Sequence, residues 1–162
     1  MKKAIRVFEV TAAALLLLTA LAKFVSSTGN SMILRDPDPV FNITYKQEFI
    51  IVGLIELVIA RICLFSKRPW LRAGSIAWLA THFMLYRGAL LWMGVLKPCP
   101  CMGTLTEMLP IDQATLDKVL IGILGYMLVG SYATLLWLFL QRSKKAQPAG
   151  PMPSVESATP AA

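Results

Sequence analysis

The chain has a single histidine, three cysteines and few charges. Asp, Glu, Lys and Arg make up 15% of its 162 residues, against roughly 25% in an ordinary soluble domain. Three cysteines allow at most one internal disulfide with one thiol left over, which excludes a small fold held by several bridges. A closed zinc site takes four ligands. One C-x-C pair, Cys99 and Cys101, and a lone His82 inside an apolar run do not supply them, so no metal site is expected. Acidic residues are the scarcer sign, nine against sixteen basic, for a formal charge of +7. This surplus does not read as a nucleic-acid surface, because the basic residues gather at the ends of apolar runs and act as topology signals.

What the chain does have is apolar length, with 56% of its residues hydrophobic. Four runs, at about 5–25, 47–65, 73–96 and 118–140, approach or reach the ~20 residues that carry a helix across a ~30 Å hydrocarbon core. They predict an all-α fold: an integral membrane four-helix bundle over residues 1–140, followed by a Pro-, Ala- and Ser-rich disordered cytoplasmic tail at 141–162. The first run has a second reading as a cleaved signal peptide, with a basic start, a Leu-rich core and Ala20-Leu21-Ala22 as the cleavage site. Glu9 inside its core and its full membrane length favour a retained helix. Gly122, Gly125 and Gly130 predict close helix approach in the fourth run.

Loop charge sets the expected orientation. Lys2, Lys3, Arg6, Lys67, Arg68, Arg72, Arg142, Lys144 and Lys145 fall on one side; Arg35, Lys46, Lys97 and Lys118 fall on the other. The positive-inside rule then puts both termini in the cytoplasm and the 26–46 and 97–117 loops outside a cell membrane, of the bacterial cytoplasmic type. Outside the cytoplasm, thiols are not held reduced by the glutathione and thioredoxin pools.

The second outer loop contains Lys97-Pro98-Cys99-Pro100-Cys101-Met102-Gly103. Pro100 fixes its own φ and pushes Cys99 toward extended geometry. That brings the two Cα atoms close to the upper end of the 4.4–6.8 Å range typical of a disulfide. A ring this small is strained, and strained bridges are the easily reduced ones. Lys97 favours the Cys99 thiolate, and Gly103 permits a positive φ after the pair. A redox pair is the leading reading; two metal ligands or two inert thiols are the alternatives. Cys63, among apolar neighbours, reads as packing.

Ionisable groups within the runs are the second signal, since each costs ~2.5–3.5 kcal/mol at the bilayer centre and faces a partner or a cavity. At 1.5 Å per residue, Glu56 and Arg87 lie at about the same depth from the outer side, which predicts an ion pair between them. Lys23 either snorkels outward or joins Glu56, and Glu9 and Arg61 are expected to meet near the cytoplasmic side. Trp78, His82 and Tyr86 follow at i, i+4 and i+8 on one helical face. They read as an inward packing stripe or as the lining for a quinone-like ring, with His82 as the titrating group.

Taken together, Lys23, Glu56, Arg87 and the Cys99-Pro100-Cys101-Met102-Gly103 segment resemble the MauE/DoxX-like group of redox-associated membrane proteins. The resemblance spans about residues 5–140. It implies a four-helix membrane bundle with a role in thiol–disulfide chemistry or in the maturation of exported proteins. The expectation is therefore a membrane thiol–disulfide redox protein. Cys99 attacks, Cys101 resolves, and the exchange partner is an exported thioredoxin-like or Cys-containing protein. A quinone is a candidate cofactor. The competing readings are a non-enzymatic membrane scaffold with incidental thiols, and a quinone- or small-molecule-binding protein built on Glu56, His82 and Arg87.

Overall fold

A computed structural model describes residues 2–29, 32–94 and 113–146. The described residues are all-helical, with four long helices: α1 (Lys2–Ser27), α2 (Tyr45–Phe65), α3 (Pro69–Trp92) and α4 (Gln113–Ala146), plus a 3₁₀ turn at Met32–Arg35. Lys97, Cys99, Pro100, Cys101 and Gly103 lie outside the described residues, as does the tail beyond Ala146. α4 continues six residues past the expected end at 140, so the start of the expected disordered tail is helical.

Local chemistry sets the helix limits. Thr44 opens α2 with a capping box: its Oγ1 accepts from Gln47 N at 3.4 Å, and Gln47 Oε1 accepts from Thr44 N at 3.3 Å. Two orphan N–H groups are satisfied in this way. Pro69 takes the first turn of α3, where its missing N–H is no loss. Gly94 closes α3 at φ 69°, donating to Leu91 O, a conformation that glycine adopts without steric cost.

The helices run alternately up and down. α1 lies along α2, and α3 lies along α4. Small residues on α1 (Ala12, Ala13, Ala20, Ala22) are buried against their neighbours, and their size lets the backbones come close. The core is completed by Phe8 and Leu16 of α1, Ile59, Ala60 and Cys63 of α2, Ile76, Leu79 and Ala80 of α3, and Met127 of α4. Cys63 is a fully buried packing residue. Gly130 is a true close-approach site, because a Cβ there would run into the Phe8 ring. Gly122 and Gly125 are not: nothing lies within 4 Å of a Cβ built on either. They sit on the open face of α4, where a sequence count of glycines cannot see helix rotation. Tyr126 anchors α4 to α1 through Thr11 at 2.8 Å, and Tyr132 anchors it to α3 through Thr81 at 3.0 Å.

Two helices, over Lys3–Ser27 and Asp117–Ser143, are long and apolar enough to cross a membrane by length and composition. Large apolar side chains on the outside of the bundle, such as Val25, Val58, Leu85, Val129 and Phe139, are well exposed.

Candidate functional site

At the end of the bundle where α1 stops and α2 starts, polar side chains converge among apolar ones. Asp38 is the centre of the α1–α2 connection. It is 1% exposed, and its Oδ1 accepts from Val40 N at 2.7 Å and Phe41 N at 2.8 Å. Its backbone closes the same turn, with Asp38 N donating to Ile43 O at 2.7 Å and Asn42 N donating to Asp38 O at 2.9 Å. Asn42 sits at φ 55°, a left-handed conformation that Asn tolerates better than most residues. The second oxygen, Asp38 Oδ2, accepts from Tyr86 OH at 2.5 Å, and the Phe41 ring stacks parallel on Tyr86 at 5.8 Å. One carboxylate therefore builds the turn and pins it to α3. Burial, reinforced by the Asp38, Glu48 and Asp36 carboxylates, pushes the neighbouring Tyr45 phenol above its ordinary value.

Deeper in, Lys23 of α1 donates to Glu56 Oε1 of α2 at 2.7 Å, and both side chains are nearly solvent-free. The Lys23 ammonium also lies 5.7 Å from the Phe83 ring centre, a weak cation–π contact. Glu56 Oε2 and Glu48 Oε2 are buried without a protein hydrogen-bond donor. The expected Glu56–Arg87 pair does not form. Arg87 turns to α4 instead, where its two terminal nitrogens meet both Asp117 oxygens at 2.7 and 2.9 Å. Equal depth put Glu56 and Arg87 level, but helix rotation decides which neighbour each side chain meets, and Glu56 faces α1. Both still border one small cavity of about 90 Å³, together with Thr19, Lys23 and Tyr86.

The expected Glu9–Arg61 contact is also replaced. At the far end of the bundle the fully buried Glu9 pairs with Arg72 Nε at 3.1 Å and with Arg6 at 3.7 Å. The Arg72 N–H does not point along that contact, so it is an ion pair without a directed hydrogen bond. Arg61 is exposed and lies over the Phe65 ring at 5.8 Å, because its face of α2 points away from α1.

The Trp78–His82–Tyr86 stripe is not an inward packing stripe. Trp78 is half-exposed and His82 exposed, and Tyr86 alone turns well inward. All three border a cavity of about 460 Å³ between α2 and α3, beneath the Asp38 turn. His82 Nδ1 lies 2.8 Å from Trp78 O. A carbonyl can only accept, so Nδ1 carries the proton, and in the neutral ring Nε2 is left as an acceptor. Among the described residues no group of three or more His, Cys, Asp or Glu is placed to hold a metal ion.

The structure thus brings together Lys23, Glu56, His82, Tyr86 and Arg87 around two adjoining cavities, and adds three acidic residues that sequence reasoning passed over. Asp38 carried a signal, since Asp-Pro-Asp-Pro is a strong turn motif, though its burial was not readable. Glu48 sits just inside an apolar run and Asp117 at the edge of one. No protein-family model, curated protein or solved structure matches the chain.

Proposed function

We propose that this is a four-helix membrane protein whose Cys99–Cys101 pair exchanges disulfides with an exported protein. The observation that carries the reading is where the cysteine-bearing segment is attached. It joins Gly94 to Gln113, and the Arg87–Asp117 double hydrogen bond ties α3 to α4 beside these two ends. The two flanking residues, Gly94 and Gln113, belong to the helix ends nearest the Asp38 turn and the buried Lys23–Glu56 pair. A buried ion pair between two long apolar helices also suits a membrane interior, where an ionisable group needs a partner.

In this reading the Cys99 thiolate attacks a disulfide sulfur of the partner, giving a mixed disulfide and one partner thiolate. Cys101 then attacks Cys99, releasing the second partner thiolate and leaving Cys99–Cys101 oxidised. Two electrons pass from this chain to the partner, and the reverse sequence passes them back. Lys97 favours the attacking thiolate.

Thiol trapping in intact cells tests the reading. A membrane-impermeant maleimide should label Cys99 and Cys101 only after reductant, and a Cys101→Ser variant should accumulate a mixed disulfide with an exported protein. If the pair is labelled fully without reductant and no variant forms a mixed disulfide, the reading is wrong.

A further inference from the structure

The α2–α3 seam is also open toward the other end of the bundle. A groove of about 450 Å³ lies there, walled by Leu54, Val58 and Ile59 of α2 and by Trp70, Leu71 and Gly74 of α3. Gly74 keeps the α3 wall low, since a Cβ built on it would meet nothing within 4 Å. From Trp78 to Trp70 the groove follows α3 for roughly 12 Å at 1.5 Å per residue, and both indoles are about half exposed. It ends beside the link between α2 and α3, which is basic and held in place. Ser66 Oγ accepts from Arg68 N at 3.2 Å, and Arg72 Nη1 donates to Ser66 O at 3.3 Å. Lys67 and Arg68 are exposed. Arg61 carries the charge onto the α2 wall: Leu54, Val58, Arg61 and Phe65 follow at i, i+4, i+7 and i+11, so they share one helical face. No acidic residue occurs from Leu57 to Thr106. Glu9, the carboxylate at this end, is buried and paired with Arg72 and Arg6. Among the described residues, Arg61, Lys67 and Arg68 have no carboxylate partner.

We propose that this end of the seam binds an anionic phospholipid, with an acyl chain in the groove and the phosphate against Arg61, Lys67 and Arg68. The proposal rests on the membrane placement given above and is independent of the thiol chemistry. Chain and headgroup are selected by different parts of the surface. The groove is apolar and open along one side, which suits a flexible chain lying beside the bundle. The cations begin where the apolar wall ends, in the order in which a phospholipid presents its chain and then its phosphate. Trp70, in the first turn of α3, stands between the two, and an amphipathic indole favours headgroup depth. Clusters of Lys and Arg beside a membrane helix attract anionic headgroups. A phosphocholine headgroup carries its own cation and gains little from such a cluster. The apolar face of a partner helix would fit the groove but leave the unpaired cations without a role.

Purified full-length protein in detergent is titrated with dioleoyl-phosphatidylglycerol, dioleoyl-phosphatidylcholine and glycerol phosphate, and bound molecules are counted by native mass spectrometry. The two lipids share their chains, and glycerol phosphate has the charge without a chain. Phosphatidylglycerol should be retained saturably, about tenfold better than phosphatidylcholine, with the preference shrinking as salt rises. Glycerol phosphate should not be retained. Replacing Arg61, Lys67 and Arg68 together by Gln should bring phosphatidylglycerol down to the phosphatidylcholine level. Gly74→Leu should cut retention of both lipids by about tenfold by filling the groove, yet melt no lower than the parent in lipid-free detergent, because leucine is the better helix former. Three results overturn the proposal: equal retention of the two lipids, glycerol phosphate bound as tightly as the lipid, or either variant, folded by circular dichroism, that retains phosphatidylglycerol like the parent. Alkaline carbonate washing of membranes separates this outcome from the wider reading. A chain released by the wash defeats both, whereas an embedded chain that gives any of the three results defeats the lipid site alone. A Cys99→Ser, Cys101→Ser double variant should retain the lipid like the parent whether or not the thiols exchange disulfides.

Discussion

Replacing Lys23 by Met tests the buried ion pair most directly. The substitution keeps most of the side-chain volume and removes the ammonium that sits 2.7 Å from Glu56 Oε1. Glu56 is then left 1% exposed, with one oxygen that already lacks a donor and a second that has lost its own. Removing one partner of a buried pair typically costs about 3–5 kcal/mol, because the remaining charge is buried uncompensated. The reciprocal Glu56→Met leaves a buried ammonium and should cost a similar amount. The double variant should lose far less than the sum of the two, since neither charge is stranded and two apolar side chains occupy the site. Stability is measured by denaturant titration in detergent with tryptophan fluorescence, and the four proteins form a double-mutant cycle. A coupling energy of about 2 kcal/mol or more is expected. Additive losses, with coupling within about 0.5 kcal/mol of zero, would mean that the two charges do not depend on each other and would refute the pairing.

Gly130→Ala should destabilise by about 1–3 kcal/mol, since the new methyl meets the Phe8 ring in a tightly packed contact. Gly122→Ala and Gly125→Ala meet open space and should be neutral or gain up to about 1 kcal/mol from helix propensity; thermal melts of the three variants separate the two cases. Tyr86→Phe leaves Asp38 Oδ2 buried without its donor and should cost about 1–3 kcal/mol, with faster hydrogen exchange at the Val40 and Phe41 amides. Arg87→Lys keeps the charge but loses the two-pronged contact with Asp117. The pair is partly exposed, so the loss should stay near or below about 1 kcal/mol, seen as earlier proteolysis near the start of α4 rather than global unfolding.

Helices were legible in this chain because their signals are local. Apolar run length located all four, and Pro69 marks a start that the run at 73–96 placed four residues late. Thr44 with Gln47 is a capping box readable from spacing alone, and it extends α2 to Tyr45. The end of α4 was not legible, because Gln141 to Ala146 are good helix formers attached to a tail of very different composition. Whether a glycine lies at a contact was also beyond the sequence: Gly122, Gly125 and Gly130 look alike until the rotation of α4 is known.

The buried charges show where such reading stops. Depth along a helix follows from counting residues, and Glu56 and Arg87 do border one small cavity. Direction needs the packing, and the packing separates them. α2 gives Glu56 to α1, α3 gives Arg87 to α4, and the seam between α2 and α3 is left open. An ion pair from Glu56 to Arg87 would have bridged that seam. Each is paired on its other side, Glu56 with Lys23 and Arg87 with Asp117, so neither charge is drawn across the seam. The same logic explains Asp38. A turn over an open groove needs its own support, and Asp38 supplies it by binding two backbone amides below and the Tyr86 hydroxyl across the opening. The pairing that sequence reasoning missed and the cavity that it could not foresee therefore have one physical cause: each inner pair of charges is closed within α1–α2 or α3–α4, and the two halves meet over an apolar slot.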